Sequence, residues 1–306
     1  MPFARPVIAL LVLSLSLAAQ SKSVAERLGY PADSKLVIVH ADDLAVAHAE
    51  DTASFEALEK HAVSSASIMV PCPWLTEVAD FAKAHPDADL GLHLTLNSEW
   101  KTFRWGSVAA SDKVPSLLEP TGTFWSTTEA AAAHANPDQA EIEIRAQVER
   151  ALAAGIHPTH LDSHMGTLFA TPELFAAYVK VAHEYRLPFF VVKVADQRAQ
   201  LLSLLSPHDV AVDNVVIANP TVAPGQWLSF YLNAIKNLKP GLTYMIVHLS
   251  RDDTESRAMM GQDTPYGSAW RQRDFDAVTS PEFQQALRDN HVIVIRWRDL
   301  QKLVTE

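Results

Sequence analysis

Two neighbouring acids, Asp42 and Asp43, follow directly on the run Lys35-Leu36-Val37-Ile38-Val39-His40-Ala41. An apolar stretch that ends at paired carboxylates reads as a buried strand reaching a charged rim. Adjacent carboxylates repel, so a fold that holds them supplies a cation or divides their roles. One can bind a metal while the other takes protons. The competing reading makes an aspartate the N-cap of a helix that begins near Val46. Histidines recur in comparable places. His93 lies within Gly91-Leu92-His93-Leu94-Thr95-Leu96, His164 closes His160-Leu161-Asp162-Ser163-His164, and His248 ends Tyr244-Met245-Ile246-Val247-His248. Two neutral imidazoles and one carboxylate make a common divalent-metal site with positions left open for water and substrate. The second carboxylate can then act as a base, and a further histidine can protonate a leaving group. Taken singly, each histidine reads more often as a satisfied core or rim residue than as a ligand. The chain has no Gly-x-Ser-x-Gly and no His-Glu-x-x-His, so neither a serine hydrolase elbow nor an ordinary zincin competes.

These residues need elements to hold them. Short runs rich in Val, Ile, Leu and Phe fall at 35–40, 65–70, 89–96, 159–163, 188–194, 214–218, 242–249 and 291–297. They are continuous rather than alternating, as strands buried on both faces are. Helical stretches are expected at 47–61, 74–84, 137–154, 172–186, 224–237 and 280–290. Asn136-Pro137, Thr171-Pro172 and Ser280-Pro281 pair a cap with a first-turn proline. Strands alternating with helices predict an α/β fold, a TIM-like (β/α) barrel with 7–8 parallel strands. The alternative is an open doubly wound sheet. No glycine-rich turn follows the first strand, which removes the main support for dinucleotide or P-loop binding. In a parallel barrel every C-terminal strand end opens on one face, so the paired acids and three histidines converge there.

The chain has 306 residues, 48% of them hydrophobic, enough for a large core. A formal net charge of −11 argues against nucleic acid and anionic membranes as partners. Residues 1–20 read as a secretory signal peptide: Arg5, then the apolar run Val7 to Leu17, then small residues around Ala18-Ala19. Export to a periplasmic or extracellular location is expected, with no membrane insertion after cleavage. The remainder, 21–306, is expected to be one domain. Its single cysteine, Cys72, excludes an internal disulfide and reads as a packed small hydrophobe. Residues 97–135 form a long insertion carrying Trp100, Phe103, Trp105, Phe124 and Trp125. These aromatics either stack on sugar rings or form a satellite core under the loop.

The stretches Val37 to Asp43, Ser65 to Val70, Gly91 to Leu96 and His160 to His164 resemble, in order and spacing, the YdjC-like carbohydrate deacetylases. Arg273-Asp274-Phe275, Ser280-Pro281-Glu282 and His291 to Trp297 extend the resemblance to about Leu300. It implies a barrel related to polysaccharide deacetylases, a divalent metal (zinc or magnesium), and hydrolysis of N-acetyl groups on an amino sugar or oligosaccharide. By matching position it implies that Asp43, His93 and His164 bind the metal and that Asp42 is the general base. It gives His248 the part of general acid or substrate contact. The chain departs from the family where Gly166 replaces the second histidine of Asp-Ser-His-x-His, and where Leu44-Ala45 replaces Phe-Gly. A glycosidase or phosphoesterase on the same face, with Asp162 as a second acid, and a non-catalytic carbohydrate-binding protein are the alternatives.

Overall fold

The computed structural model describes residues 22–193 and 199–304. The expected signal peptide and the last residue of the expected strand 188–194 lie outside them. Among the described residues seven parallel strands form one sheet: β1 (Lys35–Leu44), β2 (Ser65–Ile68), β3 (Leu90–Leu94), β4 (Leu161–Ser163), β5 (Asn214–Ile217), β6 (Gly241–His248) and β7 (Val292–Val294). The order is β4-β3-β2-β1-β6-β5, with β7 paired to the start of β1. The described part of the 188–194 run, 188–193, is not a regular strand. It makes isolated parallel bridges, Leu161 to Phe189 on one side and Val192 to Val212 on the other. Only one bridge forms on each side, too few for a continuous ladder, yet the segment links β4 to the approach to β5 and curls the sheet into a barrel. For the same reason His248 ends the sixth regular strand and not the seventh.

β1 explains the architecture. Leu36, Val37, Ile38 and Val39 are all buried, and they alternate between two cores. Leu36 and Ile38 join Tyr244 and Trp297 in the inner cluster, while Val37 and Val39 pack outward against the helices. A strand covered on both faces is expected to be apolar, and from Leu36 this one is until it meets His40.

The helices lie close to expectation at His48–Glu59, Leu75–Ala84, Pro137–Ala153, Pro172–Tyr185 and Pro281–Asp289, and a 3-10 turn precedes Trp227–Lys236. Asn136, Thr171 and Ser280 each accept a backbone N–H in the first turn, as their sequence context predicts. Several helices were not expected, Thr254–Met260 and Ser268–Val278 among them. The latter brings an arginine to the site. The insertion also carries structure, a 3-10 turn at Pro115–Leu117 and a helix at Thr128–His134. Trp105 and Phe124 are buried there, and Trp125 stacks on His134 at 3.8 Å. Cys72 is free and buried. No described helix is long and apolar enough to cross a membrane.

Gly91 on β3 allows the inner core to close. A Cβ built there would stand 2.3 Å from His160 Cε1, and the His160 ring is itself stacked on Trp297 at 4.9 Å. Neither ring can retreat without disturbing the other. Gly91→Ala is expected to cost about 1–3 kcal/mol by overpacking, read as a lowered midpoint in urea unfolding.

Candidate metal centre

β1 continues through the acid pair to Leu44, with a register shift against β2 between Ala41 and Leu44. At Asp43 the backbone takes φ +72°, a left-handed conformation that non-glycine residues adopt at a cost. Ala45, at φ +71°, repeats it, and its N–H donates to the buried Asp51 carboxylate at 2.6 Å. The distortion sends the two acids in different directions. Neither is a helix cap: the next helix starts at His48, and its N-cap, Ala47, has no side chain to offer.

Asp43 Oδ1 lies 3.3 Å from His93 Nε2 and 3.3 Å from His164 Nδ1. These three buried residues form a group whose ligand atoms could hold one metal ion. Each has a further partner that fixes its orientation, as ligating residues commonly do. Asp162 Oδ1 is 2.7 Å from His93 Nδ1, which leaves Nε2 facing Asp43. Glu99 Oε2 is 2.9 Å from His164 Nε2, which leaves Nδ1 facing the same point. The Arg271 guanidinium donates to Asp43 Oδ2 at 2.8 Å and reaches Glu50 at 2.7 Å on its other side. Asp43 Oδ1 itself accepts no hydrogen bond although it is buried.

The electrostatics favour positive charge at this point. Burial alone would raise the Asp43 pKa, but Arg271 and His164 outweigh it and hold the carboxyl well below the usual range. Burial alone would depress His164, but Glu99 and Asp43 outweigh it and carry its pKa up to about 10. A site that draws a proton this strongly suits a divalent cation. The donor set and the orphaned Oδ1 both fit one.

Asp42 is the register partner of His248 across β1 and β6, and the two side chains stand 3.8 Å apart. His248 is driven the other way from His164. Burial, with Arg271 and His93 adding to it, lowers its pKa to about 4, so its imidazole is neutral at pH 7. The backbone N–H of His248 donates to Asp274, which Trp227 and Tyr231 also hold.

Below the site, His40 Nε2 lies 3.1 Å from both Asp42 Oδ1 and Asp162 Oδ2, with Ser65 Oγ at Nδ1. Burial would depress its pKa, but hydrogen bonds to Asp162 and Asp42 outweigh that and raise it from 6.5 to about 9. A buried imidazolium thus joins Asp42 to the carboxylate that orients His93.

All five expected site residues therefore meet at the C-terminal mouth of the barrel. Asp162, suggested as a second acid, is instead spent on His93 and His40. Sequence reasoning did not find Glu99, Arg271 or the linking position of His40. Glu99 and Arg271 carry no local pattern, whereas His40 stood beside the acid pair. Of the five insertion aromatics only Trp100 lines the cavity above the centre, which has a volume of about 1100 Å³.

The fold and site define the class: a parallel α/β barrel with a buried aspartate–histidine group at its C-terminal mouth. The YdjC-like protein family matches residues 36–289, and the chain belongs to that family. A carbohydrate deacetylase of Thermus thermophilus is 30% identical over 90% of this chain and 97% of its own length. A chitooligosaccharide deacetylase of Yersinia enterocolitica is 28% identical over 55% of this chain and 64% of its own. Among solved structures, an Enterococcus faecalis protein named for cellobiose-phosphate cleavage superposes with a TM-score of 0.75 at 21% identity. That match covers 87% of this chain and 99% of the other, and it supports the same fold.

Because the folded His40 pKa lies above the ordinary value, its bridge stabilises fully below pH 6.5, and that stability is lost as pH rises through 9. His40→Asn should cost about 3–5 kcal/mol at pH 6 by leaving two buried carboxylates without their shared partner. The loss should shrink at pH 9.5, and unfolding midpoints measured across that range check it.

Proposed function

We propose that this chain is a metal-dependent hydrolase that removes an N-acyl group from an amino sugar or oligosaccharide. One observation carries the reading: the Asp43 oxygen lies equally close to His93 and His164, with Asp42 and His248 beside it. The relatives named carbohydrate deacetylases support the substrate class. Asp43, His93 and His164 would hold the cation. Two imidazoles and one carboxylate suit zinc better than magnesium. When bound there, the cation would polarise the acyl carbonyl and acidify a water molecule.

The chain's own groups then move the protons. Asp42, tethered by His40, accepts the proton of the attacking water. His248 starts neutral and close to Asp42, so it can take up a proton during turnover and pass it to the departing amine. Asp274 fixes the backbone at His248, and Trp100 gives the sugar a flat face at the mouth. A glycosidase would need a second free acid across the bond, and Asp162 is committed below the site. The complete set of ligands, base and histidine favours turnover over binding alone. The signal-peptide pattern at 1–20 supports export as part of the same proposal.

Asp42→Asn should lower amine release by at least ~100-fold while keeping metal content near that of the parent. His93→Ala should lose both activity and metal. Parallel assays of amine release and metal content decide it, and full activity in Asp42→Asn removes Asp42 as the base. Chelation should abolish turnover, and added divalent cation should restore it.

A further inference from the structure

The cavity at the metal centre is much larger than an acetyl group needs, and its lining is mixed in chemistry. The insertion and the helix Thr254–Met260 bring Trp100, Lys101, Thr128 and Arg257 to it, groups suited to a sugar, with Met259 and Met260 beside them. Phe169, Phe190, Val192, Ile217 and Ile246 also line it and offer no polar side-chain atom. These five are only partly buried, so apolar surface is left facing the cavity. Part of this apolar lining, Ile246, Ile217 and Phe190, lies deeper in the barrel than the acid–histidine centre. Inward positions alternate along a strand, so Tyr244, Ile246 and His248 share one face of β6, and Ile246 sits roughly 7 Å below His248. Phe190, stacked on Tyr244 at 4.7 Å, continues the wall downward. Ile217 is the register partner of Ile246 and extends it onto β5.

We infer that this chamber receives the acyl chain of the substrate and that the enzyme prefers N-acyl groups longer than acetyl. The inference rests on the hydrolase reading above and specifies which acyl group that site takes. The sugar must remain toward the open mouth, where the polar rim lies. The acyl carbonyl sits at the metal centre, so the rest of the acyl group has the deep chamber ahead of it. An alkyl chain asks for no hydrogen bond, and this wall supplies none. Bond balance is that of any amide hydrolysis: water adds to the acyl carbon, the C–N bond breaks, and a carboxylate and a free amine leave.

The test is amine release by the metal-loaded full chain from glucosamine N-acylated with acetyl, butanoyl, hexanoyl or octanoyl groups. The octyl glycoside of N-acetylglucosamine is run beside them. kcat/KM should climb roughly fourfold per methylene while the chamber fills, with octanoyl at least ~100-fold above acetyl. Ile217→Trp, which fills the chamber, should cut the octanoyl-to-acetyl ratio at least tenfold. That ratio is internal to one sample and does not depend on how much of the variant folds. If acetyl is the fastest of the series, the acyl-chain assignment is wrong and the deacetylase reading stands. If the octyl glycoside outruns the octanoyl amide, the chamber holds the aglycone instead, and the assignment is again wrong. If no amine is released from any of them, the hydrolase reading itself fails.

Discussion

Two buried carboxylates on consecutive residues cannot share one environment, and the site is built around separating them. The left-handed backbone at Asp43 sets the separation, and two cationic groups on opposite sides maintain it. Arg271 holds Asp43 from above, and the His40 imidazolium holds Asp42 from below. Removing either cation leaves a buried negative charge with too few partners, which costs more than the pair gains when intact. The strained strand end, the helix that delivers Arg271 and the polar core beneath β1 are consequences of this one requirement.

The neighbouring histidines take opposite characters. His164 faces two carboxylates and is pulled strongly toward the charged form, while burial, with Arg271 adding to it, holds His248 toward the neutral form. Groups whose environments drive their protonation apart mark sites of proton traffic. Here the divergence separates a position suited to a cation from a position suited to relaying a proton, within one barrel mouth.

Much of this was legible in the sequence because strand ends announce themselves. An apolar run that stops at a charge locates both an element and its rim, and this placed Asp42, Asp43, His93, His164 and His248 together. The parts that were not legible come from groups whose meaning depends on distant partners. Arg271 lies 228 positions from the carboxylate it holds, on a helix whose polar residues mask any apolar stripe. Glu99 opens a long insertion with no periodicity at that point. His40 was visible beside the acids, yet its second partner, Asp162, is set by the stacking of β1 to β4. The 188–194 run reads as a strand by composition, but its described residues make a single bridge on each side and form no ladder. The insertion aromatics divided too: Trp105 and Phe124 close a small core, and Trp100 alone reaches the cavity.

The central claim is that Asp43, His93 and His164 converge on one divalent cation. X-ray absorption at the zinc edge of the zinc-loaded protein tests it most directly. The account predicts one ion per chain with two imidazole nitrogens at about 2.0–2.1 Å and oxygen donors completing the shell. A shell without histidine, a sulfur ligand from Cys72, or no stoichiometric metal would contradict it.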